Sequence, residues 1–396
     1  DMPNEPSALD EIRALRPDGP RRLPLTLSEA QLYDRVLGGW MGRAAGCLLG
    51  KPVEGWSRQA IRAALEPTGQ YPLTDYIAFP FARGVDPKTA DAPEAVKRLA
   101  VRPRGWYRGE FDRMVRDDDM DYPLLALHVL EEYGPDFTTA QVGRAWQMKL
   151  PYLLVYTAER AAYRNLANGL RPPLTATHRN PFREWIGAQI RADLWGWVCP
   201  GDPERAAELA FRDAALSHVK NGIYGEMFFA AAMAASFAVP TVEKALQIGL
   251  TEIPAECRFA DAIRRTMEWV GDDGDFQRTT DRIHEVYGHY HRVHTINNAA
   301  LVVMGLLYAE RGHRADAERF VQDSLCFTVM GGWDTDCTGA TAGSLVGSSL
   351  GADSLPEKWI GRFNDRLDSI VIGMTDSRFS DLTARTLAQA KKQTKP

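Results

Sequence analysis

Cysteine is scarce in this sequence, and its spacing shows no pairing pattern. Five cysteines are spread over 396 residues, and no two of them form a C-x-x-C pair. They are Cys47, Cys199, Cys257, Cys326 and Cys337. The odd number and wide spacing argue against both a disulfide framework and a zinc knuckle. A reducing cytoplasm is therefore the expected compartment.

Long apolar runs and clusters of basic residues are also missing. No stretch approaches the roughly 18 to 20 apolar residues that cross a bilayer, and the N-terminus has no apolar core of the kind that a signal peptide needs. We therefore expect no membrane insertion. The net charge is −5, with lysine and arginine scattered among acidic residues. Because no basic stripe is present, nucleic acid is not expected as a main partner.

Strand-like alternation of apolar and polar residues is nearly absent as well. Apolar residues instead recur at intervals of three and four, and several of these runs stop at glycine, which predicts an all-α protein. Thr26 and Glu29 are spaced as in a capping box and mark the expected start of the first long helix. Five prolines within residues 1–25 predict an extended N-terminal arm. Residues 26–375 are expected to form one all-α domain, and residues 376–396 a C-terminal tail.

Two predicted helices carry a glycine at every fourth position. The glycines are Gly38, Gly42, Gly46 and Gly50 in the first helix, and Gly339, Gly343, Gly347 and Gly351 in the second. In a helix this spacing aligns the glycines along one face without side chains. Each glycine in a helix interior costs about 1 kcal/mol relative to alanine. We therefore predict that both helices lie at the centre of the bundle, where close packing, with each other as one option, recovers this cost.

Two clusters of aspartates lie next to these helices. Asp117, Asp118 and Asp119 directly precede an apolar helical run. Asp334 and Asp336 follow a pair of glycines and would project to the same side of an extended segment. Carboxylates are ligands that Mg²⁺ prefers, although acids at a helix start also complement the helix dipole without any metal. The clusters are far apart in the chain, so they cooperate only if the fold brings them together.

One long segment shows no clear periodicity. Residues 79–110 are rich in proline, glycine and arginine. Loops of that length are more often functional than shorter ones. The segment is expected to be either one wall of a binding site or a surface insertion.

Four segments together resemble the ADP-ribosylglycohydrolase family, over roughly residues 30 to 365. They are residues 38–54, 117–132, 186–218 and 331–347. The last is the most specific, because a Gly-Gly-Trp-Asp-Thr-Asp turn enters a helix of small residues. The resemblance implies a single large orthogonal bundle of helices, with a binuclear Mg²⁺ centre at the base of a cleft and Mn²⁺ as an alternative metal.

The two acidic motifs of the family can be placed on this chain residue by residue. Thr-Asp-Asp-Thr falls on residues 117–120, with Asp118 and Asp119 matching its two aspartates, and a shift of one residue stays open. Asp-Thr-Asp-Thr falls on residues 334–337. The resemblance implies these metal ligands: Asp117, Asp118, Asp119, Asp334 and Asp336.

The resemblance also implies contacts with a substrate. Residues 186–193 resemble the loop that holds the ribose and phosphates of the substrate. His218 stands where the family has a Thr-His pair, with Ser217 in place of the threonine. The implied substrate-binding residues are Gly187, Gln189, His218, Gly332 and Trp333. The expected substrate is an ADP-ribosyl or related ribosyl group, on a small molecule or on a protein.

Four positions depart from the family pattern where the chemistry is expected. Cys337 replaces a threonine ligand, and a thiol is a poor partner for Mg²⁺, so either one metal loses a ligand or Thr338 replaces it. Trp333 is inserted, Asp117 replaces a threonine, and Cys47 replaces an aspartate. These changes indicate a divergent branch with a remodelled site.

The resemblance and the residues together predict metal-assisted hydrolysis at the anomeric carbon of a ribose. The bound metal would orient the sugar and a water molecule, and carboxylates would stabilise the positive charge of the transition state. Glu54 matches a glutamate of the family near the end of the first glycine-rich helix. It is the candidate for proton transfer or for gating the site, with Asp336 or Asp118 as the base. The predicted catalytic residues are thus Glu54, Asp118 and Asp336.

Three alternatives remain open at this point. The segment with His284, His289, His291 and His294 matches no tetrahedral zinc motif; it could bind zinc, contact a substrate base or pack without a ligand. Cys337 could act as a nucleophile with one of these histidines as base. The chain could also be a family member without catalysis that binds ribosyl compounds or nucleotides, or has a structural role.

Overall fold

The computed structural model describes residues 3–393, and nearly all of its regular structure is helical. Nineteen α-helices occur in this part of the chain. They are α1 (Leu9–Leu15), α2 (Glu29–Gly50), α3 (Arg58–Leu65), α4 (Glu94–Ala100), α5 (Asp118–Tyr133), α6 (Thr139–Lys149), α7 (Thr157–Ala167), α8 (Leu174–Thr177), α9 (Asp193–Trp197), α10 (Pro203–Ala214), α11 (Asn221–Ser236), α12 (Val242–Gly249), α13 (Arg258–Asp273), α14 (Phe276–Tyr287), α15 (Thr295–His313), α16 (Ala317–Met330), α17 (Thr335–Leu350), α18 (Glu357–Ile360) and α19 (Phe379–Gln393). The predicted all-α fold is confirmed.

Four strands of two residues each complete the regular structure of the described residues. They are β1 (Trp56–Ser57), β2 (Gly332–Trp333), β3 (Leu367–Asp368) and β4 (Asp376–Ser377). β1 and β2 pair antiparallel, as do β3 and β4. The first pair matters for the site, because it holds the segment after α2 against the segment before α17.

The two glycine-rich helices, α2 and α17, pack directly on each other at the centre of the fold. The facing pairs are Gly38 with Gly347, Gly42 with Gly343, and Gly46 with Gly339. A methyl group on any of these glycines would overlap a carbonyl oxygen of the opposite helix. The predicted close packing is therefore confirmed, with the helices antiparallel and backbone against backbone.

The last glycine of each stripe has a different role. Gly50 packs against the backbone of Thr335 at the start of α17. Gly351 ends α17 with a φ of 93°, in the region that favours glycine, and faces the Asp34 side chain. Only the first three positions of each stripe thus pack glycine against glycine.

Other helices surround this pair and bury it. Every residue of α11 is buried, and α15 and α16 pack along the same core. None of the helices between residues 3 and 393 is both long and apolar enough to span a membrane.

The start of α2 differs from the prediction. Ser28, not Thr26, is the N-cap: its hydroxyl accepts a hydrogen bond from the Gln31 amide, and the Gln31 side chain accepts one from the Ser28 amide at 2.9 Å. The capping box predicted at Thr26 and Glu29 is therefore wrong. Serine and glutamine satisfy the same motif two residues further along.

The N-terminal segment lies against the domain, as expected for an arm, but it is not wholly extended. It contains α1, whose Ile12 side chain is fully buried. Arg16 and Arg21 both form ion pairs with the buried Glu252, at 2.7 and 2.9 Å. Residues 1 and 2 of the predicted arm lie outside the described residues.

The predicted C-terminal tail is instead the last helix of the domain up to residue 393. Leu382 and Thr386, one turn apart in α19, are both fully buried. The Trp40 indole of α2 donates a hydrogen bond to the Thr386 hydroxyl at 3.2 Å. These contacts tie α19 to the central helix, and residues 394–396 lie outside the described part.

Candidate active site and metal centre

Both acidic clusters meet at one end of the central helix pair. Because α2 and α17 are antiparallel, the C-terminal end of α2 lies beside the N-terminal end of α17. The Thr335 hydroxyl donates a hydrogen bond to the Gly50 carbonyl oxygen at 2.8 Å and fixes this junction. The N-terminal end of α5 lies at the same place, with Asp119 close to Asp336. The fold therefore joins segments that are far apart in the chain.

Three groups of side chains there present possible ligand atoms within 4.8 Å of one another. They are Cys47 with Asp117 and Asp119; Asp119 with Asp336 and Cys337; and Glu54 with Asp334 and Asp336. The first two groups share Asp119 and the last two share Asp336, so the three groups form one continuous cluster. We call its five carboxylates, Glu54, Asp117, Asp119, Asp334 and Asp336, the acidic row.

Two carboxylates of the acidic row have a buried oxygen without a hydrogen-bond partner. One Asp119 oxygen accepts from the Arg43 guanidinium at 3.0 Å, but its second oxygen has no partner, and neither does Oδ1 of Asp336. Burial, together with the neighbouring carboxylates, raises the pKa of both groups well above the usual value. A buried charge is tolerated when it is paired or coordinates a metal. These oxygens therefore fit a hard divalent cation.

Glu54 and Asp334 form the outer end of the acidic row. The Glu54 side chain is exposed, whereas Asp334 is buried. Burial and then the Glu54 charge raise the pKa of Asp334 to about 7. Burial and then Asp117 also raise the pKa of Glu54. Asn298 holds this end in place by accepting a hydrogen bond from the Asp334 amide at 3.2 Å.

Asp117 lies at the inner end and is paired with a lysine. It caps α5 by accepting a hydrogen bond from the Asp119 amide at 2.9 Å, and it forms a buried ion pair with Lys51. Burial alone would raise the pKa of Asp117, but the Lys51 ammonium outweighs burial and lowers it. Lys51 was not among the predicted site residues. Its only signal in the sequence is its position directly after the last glycine of the first stripe.

Asp118 does not join the acidic row. It is the first residue of α5, partly exposed, and belongs to none of the ligand groups found among residues 3–393. Burial of its carboxyl and the charges of Asp117 and Asp119 raise its pKa well above the usual value. The predicted roles of Asp118 as ligand and base therefore gain no support from the structure. Glu54 instead occupies a position suited to a ligand.

Three of the predicted substrate contacts lie inside the protein. Gly187 packs against the Glu159 carboxylate. Gln189 accepts a hydrogen bond from the Thr295 hydroxyl at 3.0 Å, and both Gln189 and His218 are fully buried. Burial is also the main reason that the pKa of His218 is lowered well below its usual value. Because all three residues are buried, the structure gives no support to their assignment as substrate contacts.

The Gly332 and Trp333 turn does border the acidic row. Both residues have positive φ angles, 81° and 68°, and the Trp333 carbonyl oxygen accepts a hydrogen bond from the Gly55 amide at 2.8 Å. The Trp333 ring stacks on His284, with 4.0 Å between ring centroids. The strained turn directs Asp334 toward the row and places an indole next to it.

The histidine segment contributes aromatic stacking rather than a metal site. His284 bonds to the Gly331 carbonyl oxygen at 2.8 Å, and His291 stacks on Trp185 at 4.2 Å. His294 caps α15, and burial lowers its pKa to about 4. No histidine belongs to a ligand group in the part of the chain that the structure describes. Zinc binding therefore gains no support.

The segment 79–110 forms part of the site wall. It contains α4, and its Trp106 ring lies 4.6 Å from the Lys51 ammonium. Arg102 donates a hydrogen bond to the Glu54 carbonyl oxygen at 2.9 Å. Of the two expectations for this segment, the wall agrees with the structure.

Cys337 faces the acidic row as a protonated thiol. Its sulfur lies within 4.8 Å of carboxylate oxygens of Asp119 and Asp336. Burial and then the surrounding carboxylates raise its pKa well above the usual value. A thiol held in this form is a weak nucleophile. Thr338, its proposed substitute as a ligand, is buried and donates to the Thr335 carbonyl oxygen instead, at 3.4 Å.

Comparison with known proteins agrees with this architecture. The model of a protein family described as ADP-ribosylglycohydrolase matches residues 28–394. A solved structure described as an ADP-ribosylglycohydrolase-related protein complex is similar, with a TM-score of 0.55 and 19% sequence identity. The similarity covers 92% of this chain and 99% of that one; at this identity it shows the fold. No curated protein sequence matches the chain.

Proposed function

Because the chain belongs to the ADP-ribosylglycohydrolase family, we propose that it is a metal-dependent hydrolase of ribosyl glycosidic bonds. The substrate is an ADP-ribosyl or related ribosyl group in N- or O-glycosidic linkage. The observation that carries the proposal is the buried acidic row, with unpartnered oxygens on Asp119 and Asp336.

The metal in this proposal is Mg²⁺, with Mn²⁺ as a substitute. The residues that would hold it are Asp334 and Asp336, with Asp119 beside Asp336, because their oxygens are hard ligands that lie close together; Glu54 is then left free for proton transfer. When bound, a divalent cation supplies Lewis-acid stabilisation to sugar and water oxygens. The surrounding burial strengthens every charge interaction in the row.

Two carboxyl groups of the row are candidates for proton transfer. Asp336, whose pKa is raised by burial, accepts a proton from the attacking water as its oxygen bonds to the anomeric carbon. Glu54, exposed and also with a raised pKa, donates a proton to the leaving nitrogen or oxygen as that bond breaks. The remaining carboxylates stabilise the positive charge that develops on the sugar.

The rim of the site favours a substrate with a planar ring and negative charge. Trp106, which is partly exposed, offers an aromatic surface for stacking on a base. Arg102 and Arg292 lie close enough to Glu54 to favour its charged form, and guanidinium groups bind phosphates well. A diphosphate linked to ribose and a base fits this combination.

The test is Asp336→Asn, measured for metal binding by calorimetry and for release of the leaving group from N- and O-linked ADP-ribosyl compounds. We expect turnover to fall by on the order of 10²-fold or more, as for loss of a catalytic acid or base, and metal affinity to fall with it. Asp353→Asn, at an exposed position, is the control and should keep both. An Asp336→Asn protein with wild-type turnover would contradict the scheme.

A second candidate function is binding of a ribosyl ligand without hydrolysis. The observation that favours it is the Lys51–Asp117 ion pair, which places a fixed cation inside the row. Thermal-shift measurements with ADP-ribose, ribose and nucleosides discriminate the two functions. Stabilisation by a ligand without any turnover favours the binding protein.

A further inference from the structure

Lys51 is a buried cation within the candidate metal centre. It follows the last residue of α2, and only 6% of its side chain is exposed. Its ammonium group forms an ion pair with Asp117, whose side chain is 4% exposed, and the Trp106 ring covers it at 4.6 Å. Lysine is almost never buried to this degree unless it is paired. The ammonium group is therefore held in place inside the row.

The inner ligand group is already neutralised by protein side chains. Lys51 contacts Asp117, and it is close enough to Cys47 to interact with it electrostatically. Arg43 contacts one oxygen of Asp119. The third member, Cys47, is a thiol, which is a poor ligand for a hard cation. A second divalent ion here would meet a fixed positive charge, a thiol and one free carboxylate oxygen, that of Asp119.

The outer ligand group has no such ion pairs. Glu54, Asp334 and Asp336 have no ion pair to a lysine or arginine side chain within residues 3–393. Asp336 also keeps a buried oxygen without any hydrogen-bond partner. None of the three carboxylates at this end is thus held in a direct ion pair, although Arg102 and Arg292 lie near Glu54, and Asp336 keeps a free ligand atom. One divalent cation would neutralise two of the three carboxylates.

From this contrast we infer that the Lys51 ammonium takes the place of one of two metal ions. The centre then binds a single divalent cation, at the Glu54, Asp334 and Asp336 end. The inference rests on the proposed metal dependence and deepens it, because it sets the number of ions and assigns Lys51 the role of the other cation. It replaces the two ions that the family resemblance implies.

The first test is the number of ions bound by the full chain. Equilibrium dialysis with Mn²⁺ should give one ion per chain, and electron paramagnetic resonance should show an isolated ion without coupling to a second. Asp336→Asn should lose this ion, whereas Asp117→Asn should keep at least one. Two ions per wild-type chain, a coupled spectrum, or no ion at all would overturn the inference.

The second test removes the ammonium group and restores a hard ligand. The double variant Lys51→Ser with Cys47→Asp should bind two ions, with a coupled spectrum, whereas Lys51→Arg should still bind one. Lys244→Ser, at an exposed position on α12, is the matched control and should also bind one. A well-folded double variant that binds only one ion contradicts the displacement. If the variant does not fold, the wild-type count and spectrum decide the matter.

These measurements separate the inference from the proposed function, because none of them uses a substrate. A protein that binds one ion but cleaves no ribosyl bond contradicts the proposed activity and leaves the role of Lys51 intact. A protein that cleaves such bonds with two bound ions contradicts the role of Lys51 and leaves the proposed activity intact.

Discussion

At the scale of single residues, the site depends on carboxyl groups that the fold holds away from water. Asp334 shows this most clearly, because its pKa rises from 3.8 to about 7, first through burial and then through Glu54. Asp119 and Asp336 shift in the same direction. Such groups are stable in the folded protein when they are protonated or when a cation compensates their charge.

We therefore predict that stability of the metal-free protein falls as the pH rises from about 4 to about 7. The folded-state pKa of Asp334 lies above its unfolded value, so its stabilising contribution is complete below pH 4 and is lost as the pH passes 7. The loss should be on the order of a few kcal/mol. Urea unfolding in EDTA across this pH range measures it.

Two comparisons identify the source of this pH dependence. Asp334→Asn should reduce the pH dependence, whereas Asp353→Asn, at an exposed position, should not. Added Mg²⁺ should restore stability at pH 7 because it binds the folded state alone. An equal pH dependence in the wild type and Asp334→Asn would rule out Asp334 as the cause.

At the scale of elements, the site is set by how closely α2 and α17 approach. Their facing glycines let the backbones touch, and this contact fixes the end of α2 beside the start of α17. Larger side chains would separate the helices and move the acidic segments that follow and precede them. The helix pair is therefore both the core and the support of the acidic row.

Gly42→Ala should test this packing. Its methyl group would overlap the carbonyl oxygen of Gly343, and such overpacking costs about 1–3 kcal/mol. Gly312→Ala is the matched control, because Gly312 lies in α15 with open space around it and alanine should stabilise a helix by up to ~1 kcal/mol. The free energies of unfolding in urea should thus change in opposite directions. A neutral Gly42→Ala would show that the helices can separate without cost.

At the scale of the whole molecule, one buried arginine links three distant segments. Arg43 in α2 donates to the Asp119 carbonyl and carboxylate oxygens at 2.7 and 3.0 Å, and it forms an ion pair with Asp193 in α9. All three side chains are fully buried. The arginine therefore holds α5 and α9 against the central helix and orients Asp119 within the row.

Arg43→Met should destabilise the protein by about 3–5 kcal/mol, because it leaves two buried carboxylates without their partner. Thermal or urea unfolding measures the loss, and adding Asp193→Asn should recover part of it. The exposed Arg62–Glu66 pair is the contrast: Arg62→Met should cost less than about 1 kcal/mol. Similar losses for the two single variants would argue against a central role of Arg43.

Some features could be predicted from the sequence because they depend on neighbours along the chain. Helical periodicity identified the fold class. The glycines at every fourth position predicted the close packing of two helices that lie far apart in the sequence. The position of Asp117 and Asp119 at a helix start also follows from local pattern. Asp334 and Asp336 were expected on an extended segment, but they are the N-cap and the second residue of α17. Ser28 and Thr26 are both suitable by residue type as the N-cap of α2, so only the tertiary structure distinguished them.

What the tertiary structure alone decided is which of these groups face one another. It left Asp118 outside the three ligand groups found among residues 3–393 while placing Asp119 in two of them, and it buried Gln189 and His218 among internal contacts. It also brought Lys51 to Asp117, a pairing with no signal in local pattern. Periodicity sets which residues share a helix face, but the partner of a buried charge depends on how distant segments pack. The sequence alone thus determined the helices, their small-residue contact and the carboxylates at their ends, and packing determined which of those carboxylates are free to bind a cation.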